Sequence, residues 1–164
     1  MQRGIVTRFM ILCCAQLLLG GSTLTVAQEK SAASATSLYD RLGGVYAIAT
    51  VVDDFIDRVL VNDVLNANPA IKEARDRVPK AGLKYRITEM VCQATGGPCT
   101  YTGRSMKDSH RHLNITEEEW DALVADFKAS LKKFNVPQKE QEELLIIVSS
   151  TKADIVLLPA QPKQ

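Results

Sequence analysis

Apolar residues recur at intervals of three and four positions along most of the chain after Ser37, which is the spacing of one face of an α-helix. The first such stripe covers 48–60 and the second covers 83–94. A third covers 120–131 and a fourth covers 144–155. No stretch shows the two-residue alternation that a half-buried strand would give. The pattern therefore predicts an all-α fold with four substantial helices and no internal repeat.

Local signals mark the ends of these helices. Thr116 and Glu119 have the spacing of a capping box, so the third helix should begin there. Pro137 is expected to start the fourth helix, and the glycines and proline at 96–98 to end the second. The connection that follows, 96–115, is long, and a connection of this length in a compact domain is usually functional.

That long connection contains both histidines of the chain, His110 and His112. Met106 and His110 are four residues apart, so they share one face of a helical turn. An imidazole among apolar side chains needs partners for its nitrogens, so His110 is either a hydrogen-bonded structural residue or a metal ligand. His112 falls on the other face, where we expect it in solvent.

The composition excludes some classes of function. A chain of 164 residues with 46% hydrophobic and 24% charged residues is typical of one globular domain. Lysine and arginine number 20 against 19 acidic residues, without basic clusters. This argues against a nucleic-acid partner, because such binding depends on cations that neutralise phosphates. Aromatic residues make up only 5%, which is few for a base-stacking surface.

Residues 1–27 have the pattern of an export signal. Arg3 and Arg8 precede an apolar run at 9–19, and Thr25-Val26-Ala27 offers the small residues of a cleavage site. The run is shorter than the roughly twenty residues that span a bilayer, although a membrane anchor is the alternative interpretation. We expect an exported, periplasmic or secreted protein with a flexible lead-in at 28–36 and no stable membrane span after cleavage.

Four motifs resemble those of the group I truncated haemoglobins in their order and spacing. They are SLYDRLGG at 37–44, VVDDFIDRVL at 51–60, GGP at 96–98 and YTGRSMKDSH at 101–110. The resemblance covers 37–156, leaves a tail at 157–164, and implies a truncated globin-like two-over-two helical sandwich. In that family the histidine that ends the last motif is the proximal iron ligand, which here is His110. No Cys-x-x-Cys-His motif occurs, so we expect haem b held without a covalent bond.

The resemblance also implies a pocket for the haem. Leu83 and Ile87 match positions on the distal helix, and Met106 lies on the proximal side. The rest of the wall is assigned by position to Ile115, Trp120, Leu123, Ile147 and Val148. For each of these, a place in the hydrophobic core without haem contact is an equally good interpretation. Lys84 and Arg86 are expected near the rim, where pairing with the propionates would contribute modestly.

The distal side departs from the family pattern. Many members have a tyrosine directly after the phenylalanine of the first long helix, and its hydroxyl donates to bound dioxygen. Here that position is Ile56, and Leu83 and Ile87 supply no donor either. The missing charge-assisted bond corresponds to about 1.5 to 3 kcal/mol, so we expect dioxygen to leave quickly. Tyr46 and Tyr85 are candidates for a hydroxyl from another direction, with surface or structural placement the competing interpretation.

Cys92 and Cys99 flank the glycine turn and lie outside the predicted signal. In an oxidising compartment two thiols seven residues apart across such a turn can form a disulfide, and two unpaired thiols are the alternative. A bond at this point would hold the start of the loop that leads to His110.

Two classes of function follow. The first is reversible binding of dioxygen or another diatomic gas. The second is a haem redox enzyme, such as a nitric oxide dioxygenase or weak peroxidase, served by an unknown reductase. The enzyme needs a polar group over the iron, so the apolar set of Ile56, Leu83 and Ile87 favours the gas-binding protein. A haem-free helical adaptor that kept only the scaffold is a third alternative.

Overall fold

The computed structural model of the protein describes residues 36–156. The predicted export signal, nearly all of the predicted lead-in and the predicted tail lie outside this range. Within it, no helix is long and apolar enough to cross a membrane. The helices are α1 (Leu38–Arg41), α2 (Gly44–Val61), α3 (Asp63–Asn66), α4 (Pro69–Arg77), α5 (Lys80–Ala94), α6 (Met106–His110), α7 (Glu117–Lys133), α8 (Gln138–Ser150) and α9 (Lys152–Ile155).

The four predicted long helices are α2, α5, α7 and α8. Helix α2 packs against both α5 and α7, and Leu144 of α8 is buried in one cluster with Phe127 and Leu131 of α7. The only β-type pairing among the described residues is an isolated bridge between Ile115 and Val156. The prediction of an all-α fold is confirmed for this part of the chain.

The predicted helix ends are confirmed at the points where the sequence gives clear signals. Thr116 and Glu119 form the complete capping box of α7, and α8 begins directly after Pro137. Helix α2 begins after Gly43, whose φ of 91° is a conformation that favours glycine. The turn that follows α5 contains Gly96 at a φ of 85°.

The fourth helix is shorter than the sequence pattern predicts. It ends at Ser150, and Ile155 belongs to the separate helix α9. The hydroxyls of Ser150 and Thr151 donate to the carbonyls of Ile147 and Val148, both at 2.7 Å. Such local side-chain bonds compete with helix continuation, which accounts for the break.

Two short helices that the apolar pattern did not predict fill the stretch 62–79. Asn62 caps α3 by accepting hydrogen bonds from the amides of Val64 and Leu65. Asn68 caps α4 in the same way, with proline at the first helical position. Asparagine before a helix is a favoured cap because its oxygen satisfies amides that have no partner within the helix.

A mixed apolar and charged interface holds α2 against α7. The rings of Phe55 and Phe127 meet edge to face with centroids 5.3 Å apart. Beside them Asp54 accepts a hydrogen bond from the buried Ser130 hydroxyl at 2.8 Å and pairs with Lys133 and Arg58. Hydrogen bonds from Lys133, which has the largest effect, and from Arg58 hold the pKa of the Asp54 carboxyl well below its usual range. The Ser130 hydroxyl lowers this pKa further.

Candidate functional site

His110 is the last residue of α6, a helix of only five residues. Ser105 caps the N-terminus of α6, because its hydroxyl accepts a hydrogen bond from the Asp108 amide at 3.0 Å. The His110 ring is half-buried, and its Nδ1 lies 2.8 Å from the carbonyl oxygen of Met106. Because a carbonyl only accepts, Nδ1 carries the proton and Nε2 presents a lone pair. The hydrogen-bonded and the metal-ligand interpretations of His110 are therefore compatible with each other.

His112 has a different environment. It is exposed, as predicted, and its Nε2 lies 3.0 Å from Nε of the neighbouring Arg111, which donates to it. Its ring therefore uses the nitrogen that His110 keeps for a ligand.

The three predicted distal residues lie together. Ile56 is 2% exposed, and Leu83 and Ile87 of α5 pack against the buried cluster that contains it. None of the three carries a hydrogen-bond donor on its side chain. Helices α2 and α5 thus contribute apolar side chains to one cluster at this point.

Tyr46 and Tyr85, the other candidates for a distal hydroxyl, lie at the surface. Tyr46 is 87% exposed and Tyr85 is 59% exposed. A hydrogen bond between the Tyr85 hydroxyl and Glu89 raises the pKa of Tyr85. The surface placement that the sequence analysis gave as the competing interpretation therefore describes both tyrosines.

Four of the six other residues predicted for the pocket wall belong to two apolar clusters. Ile115 and Trp120 are buried together with Val156, and Val148 packs against them. Ile147 packs against the neighbouring cluster formed by α1, α7 and α8. Met106 and Leu123 are half-buried and belong to neither cluster. The sequence analysis did not assign Ile71, Leu113, Val124 or Val156 to the pocket wall, although they also belong to the first cluster.

Both predicted rim cations have protein partners. The Lys84 ammonium lies 2.5 Å from Asp53 and 2.6 Å from Asp57. Burial alone would lower the pKa of Lys84, but the hydrogen bonds to the two carboxylates outweigh it and raise the pKa. Arg86 pairs with Glu89 at 2.9 Å and donates to the Thr102 hydroxyl at 2.5 Å. Pairing of either residue with a haem propionate stays a prediction.

The loop that precedes His110 is attached to α5 at several points. Cys92, which is fully buried, and Cys99 form a disulfide, so this prediction is confirmed. The Tyr101 amide donates to the side-chain oxygen of Gln93 at 2.6 Å. The bond from Arg86 to the next loop residue, Thr102, is a further attachment to α5. A side chain at Gly97 would collide with the backbone and sulfur of Cys92, which explains the glycine there.

These residues fit a haem. The arrangement offers one imidazole nitrogen at the end of α6, together with half-buried apolar side chains on α5, α7 and α8. A single nitrogen donor suits an iron whose four other ligands come from a porphyrin, and the large apolar faces of a porphyrin need such a lining.

Comparison with known proteins agrees with this geometry. The sequence model of the bacterial-like globins matches residues 37–156. The group 1 truncated haemoglobin GlbN of a Synechocystis strain is 33% identical over 107 residues, which is 63% of this chain and 82% of that protein. The corresponding protein of Mycolicibacterium paratuberculosis is 31% identical over 113 residues, covering 69% of this chain and 79% of its own.

Solved structures show the same fold. The 2/2 haemoglobin of Synechococcus, in the cyanomet state with covalently attached haem, superposes with a TM-score of 0.65 at 27% identity, covering 74% of this chain and 98% of its own. The Fe(III) truncated haemoglobin of Tetrahymena pyriformis gives 0.63 at 24% identity with the same coverage. The molecule is a two-over-two globin, as predicted. The chain belongs to the bacterial-like globin family, and its resemblance to the group I truncated haemoglobins is confirmed.

Proposed function

We propose that the protein holds haem b through His110 and reversibly binds dioxygen or another diatomic gas on the apolar distal side. The observation that carries the proposal is the hydrogen bond from His110 Nδ1 to the Met106 carbonyl, which leaves the Nε2 lone pair for a ligand. Family membership supports a haem in this fold. When bound, the haem supplies an iron with a position for the gas.

The chain itself does two things in this function. The Met106 carbonyl orients the His110 ring and makes its Nε2 more basic, as such partners do for metal-binding histidines. On the distal side, Ile56, Leu83 and Ile87 exclude water and offer no hydrogen-bond donor to a bound gas. A gas that gains negative charge on binding is therefore held without a hydrogen bond, so dioxygen should dissociate fast, whereas carbon monoxide, which is less polar when bound, should be affected little.

The alternative is a haem redox enzyme, such as a nitric oxide dioxygenase or weak peroxidase, served by a reductase. That chemistry needs an acid, a base or a donor close to the reacting gas. The distal side chains identified here are hydrocarbon, and the phenols of Tyr46 and Tyr85 are exposed. These observations favour the gas-binding protein.

Export is part of the same proposal. Its support is the pattern of charged, apolar and small residues at 1–27. The Cys92–Cys99 disulfide is also of the kind that persists in oxidising compartments. Expression of the full chain with and without residues 1–27, followed by fractionation, tests this directly, because only the full chain should leave the cytoplasm.

The spectrum of the purified protein, reconstituted with haem, tests the function. We expect one haem per chain, a ferrous spectrum that changes reversibly on adding carbon monoxide or dioxygen, and dioxygen dissociation that is fast in stopped-flow mixing. A protein that takes up no haem would support the helical adaptor instead. Slow dioxygen dissociation together with rapid consumption of nitric oxide by the dioxygen-bound form would favour the enzyme.

A further inference from the structure

Asn68 links the start of α4 to the segment that follows His110. Its Oδ1 accepts hydrogen bonds from the amides of Ala70 at 2.9 Å and Ile71 at 3.4 Å, and so caps α4. Its Nδ2 donates to the carbonyl oxygen of Leu113 at 2.9 Å, across 45 positions of sequence. The two ends of one half-buried amide thus hold two separate parts of the chain.

The bond to Leu113 leads on to His110. The Leu113 amide donates to the His110 carbonyl at 2.8 Å, and the His110 ring is in turn bonded to the Met106 carbonyl. Leu113 and Ile71 also pack against the same buried cluster. Polar and apolar contacts therefore both connect the start of α4 to the proximal segment.

The proximal segment depends on such external contacts. Helix α6 has five residues, and a helix this short is marginal by itself. Asn114, with a φ of 51°, turns the chain away directly after Leu113. The Tyr101 hydroxyl holds the front of the segment by donating to the Arg104 carbonyl at 2.8 Å. Asn68 provides the corresponding bond at the rear.

We propose that Asn68 is a positioning residue for His110: through Leu113 it sets where the imidazole stands toward the haem iron, without touching haem or gas. The proposal rests on the proposed function, in which His110 binds the iron. It predicts that loss of the Asn68 amide donor changes the iron–histidine bond while the fold persists.

The test uses Asn68→Asp, which keeps the oxygen that caps α4 and removes the donor to Leu113. In the haem-loaded ferrous protein, the iron–histidine stretching band in the resonance Raman spectrum should shift and broaden. In the haem-free protein, the Leu113 amide is bonded to the His110 carbonyl. Loss of the Asn68 bond to the Leu113 carbonyl should make local opening of this segment easier by about 1.4 kcal/mol, a typical net hydrogen bond. Hydrogen exchange at the Leu113 amide should therefore accelerate roughly ten-fold. Asn68→Ser, which caps well but is too short to reach Leu113, should behave alike and serves if the aspartate variant does not fold.

Asn62→Asp is the matched control. Asn62 caps α3 as Asn68 caps α4, and its Nδ2 donates to Asp126 at 2.7 Å, on a different helix from His110. This variant should leave the stretching band and the Leu113 exchange rate as in the unmodified protein. Equal changes in the Asn62 and Asn68 variants, or no change in the Asn68 variants, would overturn the positioning role.

The two proposals fail separately. An unmodified protein that takes up no haem refutes the proposed function, and this inference with it. If the protein takes up haem but Asn68→Asp and Asn68→Ser both keep the stretching band of the unmodified protein, this inference alone is refuted.

Discussion

At the scale of single residues, the proposed function depends most on Ile56, the side chain expected to face a bound gas. It is almost fully buried beside Leu83 and Ile87. The sequence resemblance aligns it with the position at which many group I truncated haemoglobins have a tyrosine. A hydrocarbon there excludes water but gives a polar ligand no hydrogen bond. The rate at which dioxygen leaves should therefore depend on this one side chain more than on any other in the distal cluster.

We predict that Ile56→Tyr slows dioxygen dissociation at least roughly ten-fold, equivalent to about 1.4 kcal/mol or more from a charge-assisted hydrogen bond. Carbon monoxide dissociation should change little. Stopped-flow ligand replacement measures both rates.

Ile56→Phe is the control for that variant, because it adds the ring without the hydroxyl and should leave the dioxygen rate close to that of the unmodified protein. If the unmodified protein already holds dioxygen tightly and Ile56→Tyr changes nothing, another hydroxyl must reach the gas. Tyr46 and Tyr85 would be the first residues to replace, and the enzyme would become the better interpretation.

The sequence could predict those residues whose role shows in a local pattern. The motif marks His110, and the four-residue spacing correctly indicates that it lies on one helical turn with Met106, whose carbonyl oxygen its Nδ1 meets. The bond from Asn68 to Leu113 spans 45 positions, and the pairing of Lys84 with Asp53 spans 31. Contacts of that range depend on how whole helices pack, so no local spacing indicates them.

At the scale of elements, the loop between α5 and α6 determines where the proximal segment starts. The Cys92–Cys99 disulfide closes a short ring at its beginning. We predict that Cys92→Ala/Cys99→Ser lowers the free energy of unfolding by about 2 kcal/mol, the loop-closure effect of a ring this short. Urea unfolding of the oxidised protein, the reduced protein and the variant measures it, and the last two should agree closely.

Thiol labelling supplies the independent check on that bond. Protein isolated from the exported fraction and denatured without reductant should react at neither cysteine. Full labelling of both residues would remove the disulfide from the account.

The long helices were predictable and the short ones were not, for a physical reason. Helices α2, α5, α7 and α8 each bury a stripe long enough to show its period, and the Thr116 capping box marks the start of α7. Helices α3 and α4 are too short for a stripe and depend on caps from Asn62 and Asn68. Helix α9 exists because the hydroxyls of Ser150 and Thr151 end α8 early.

At the scale of the whole molecule, the contact between α2 and α7 makes stability depend on pH. Lys133 and Arg58 lower the pKa of Asp54 in the folded protein, whereas its value in the unfolded chain is about 3.9. A lowered folded pKa stabilises the fold above the unfolded pKa, and that stabilisation is lost as the pH falls toward the folded value. We predict that Asp54→Asn is less stable than the unmodified protein at pH 7, and that the difference shrinks steadily below about pH 4.

Urea unfolding at pH 7, 5, 4 and 3 checks this prediction. Some acid sensitivity should remain in the variant, because Lys80 and Lys84 lower the pKa of Asp57 and Arg41 lowers that of Glu140. A stability difference that stays constant with pH would mean that the Asp54 carboxylate charge does not contribute.

The whole molecule gives His110 a defined place. The disulfide and the bonds from Gln93 and Arg86 attach the preceding loop to α5. On the other side α9 packs against α6, and the bridge between Ile115 and Val156 joins the following segment to the end of α9. The short helix α6 is thus held on one side through the loop from α5 and on the other side by α9.

The most direct test of His110 as the iron ligand is the carbon monoxide difference spectrum of His110→Gly, recorded with and without added imidazole. The variant should lose stable haem and the ferrous carbon monoxide spectrum, and imidazole should restore both by supplying the missing nitrogen in the space left by the ring. His112→Ala should match the unmodified protein throughout. Normal haem content and an unchanged spectrum in His110→Gly without imidazole would contradict the assignment of His110 as the iron ligand.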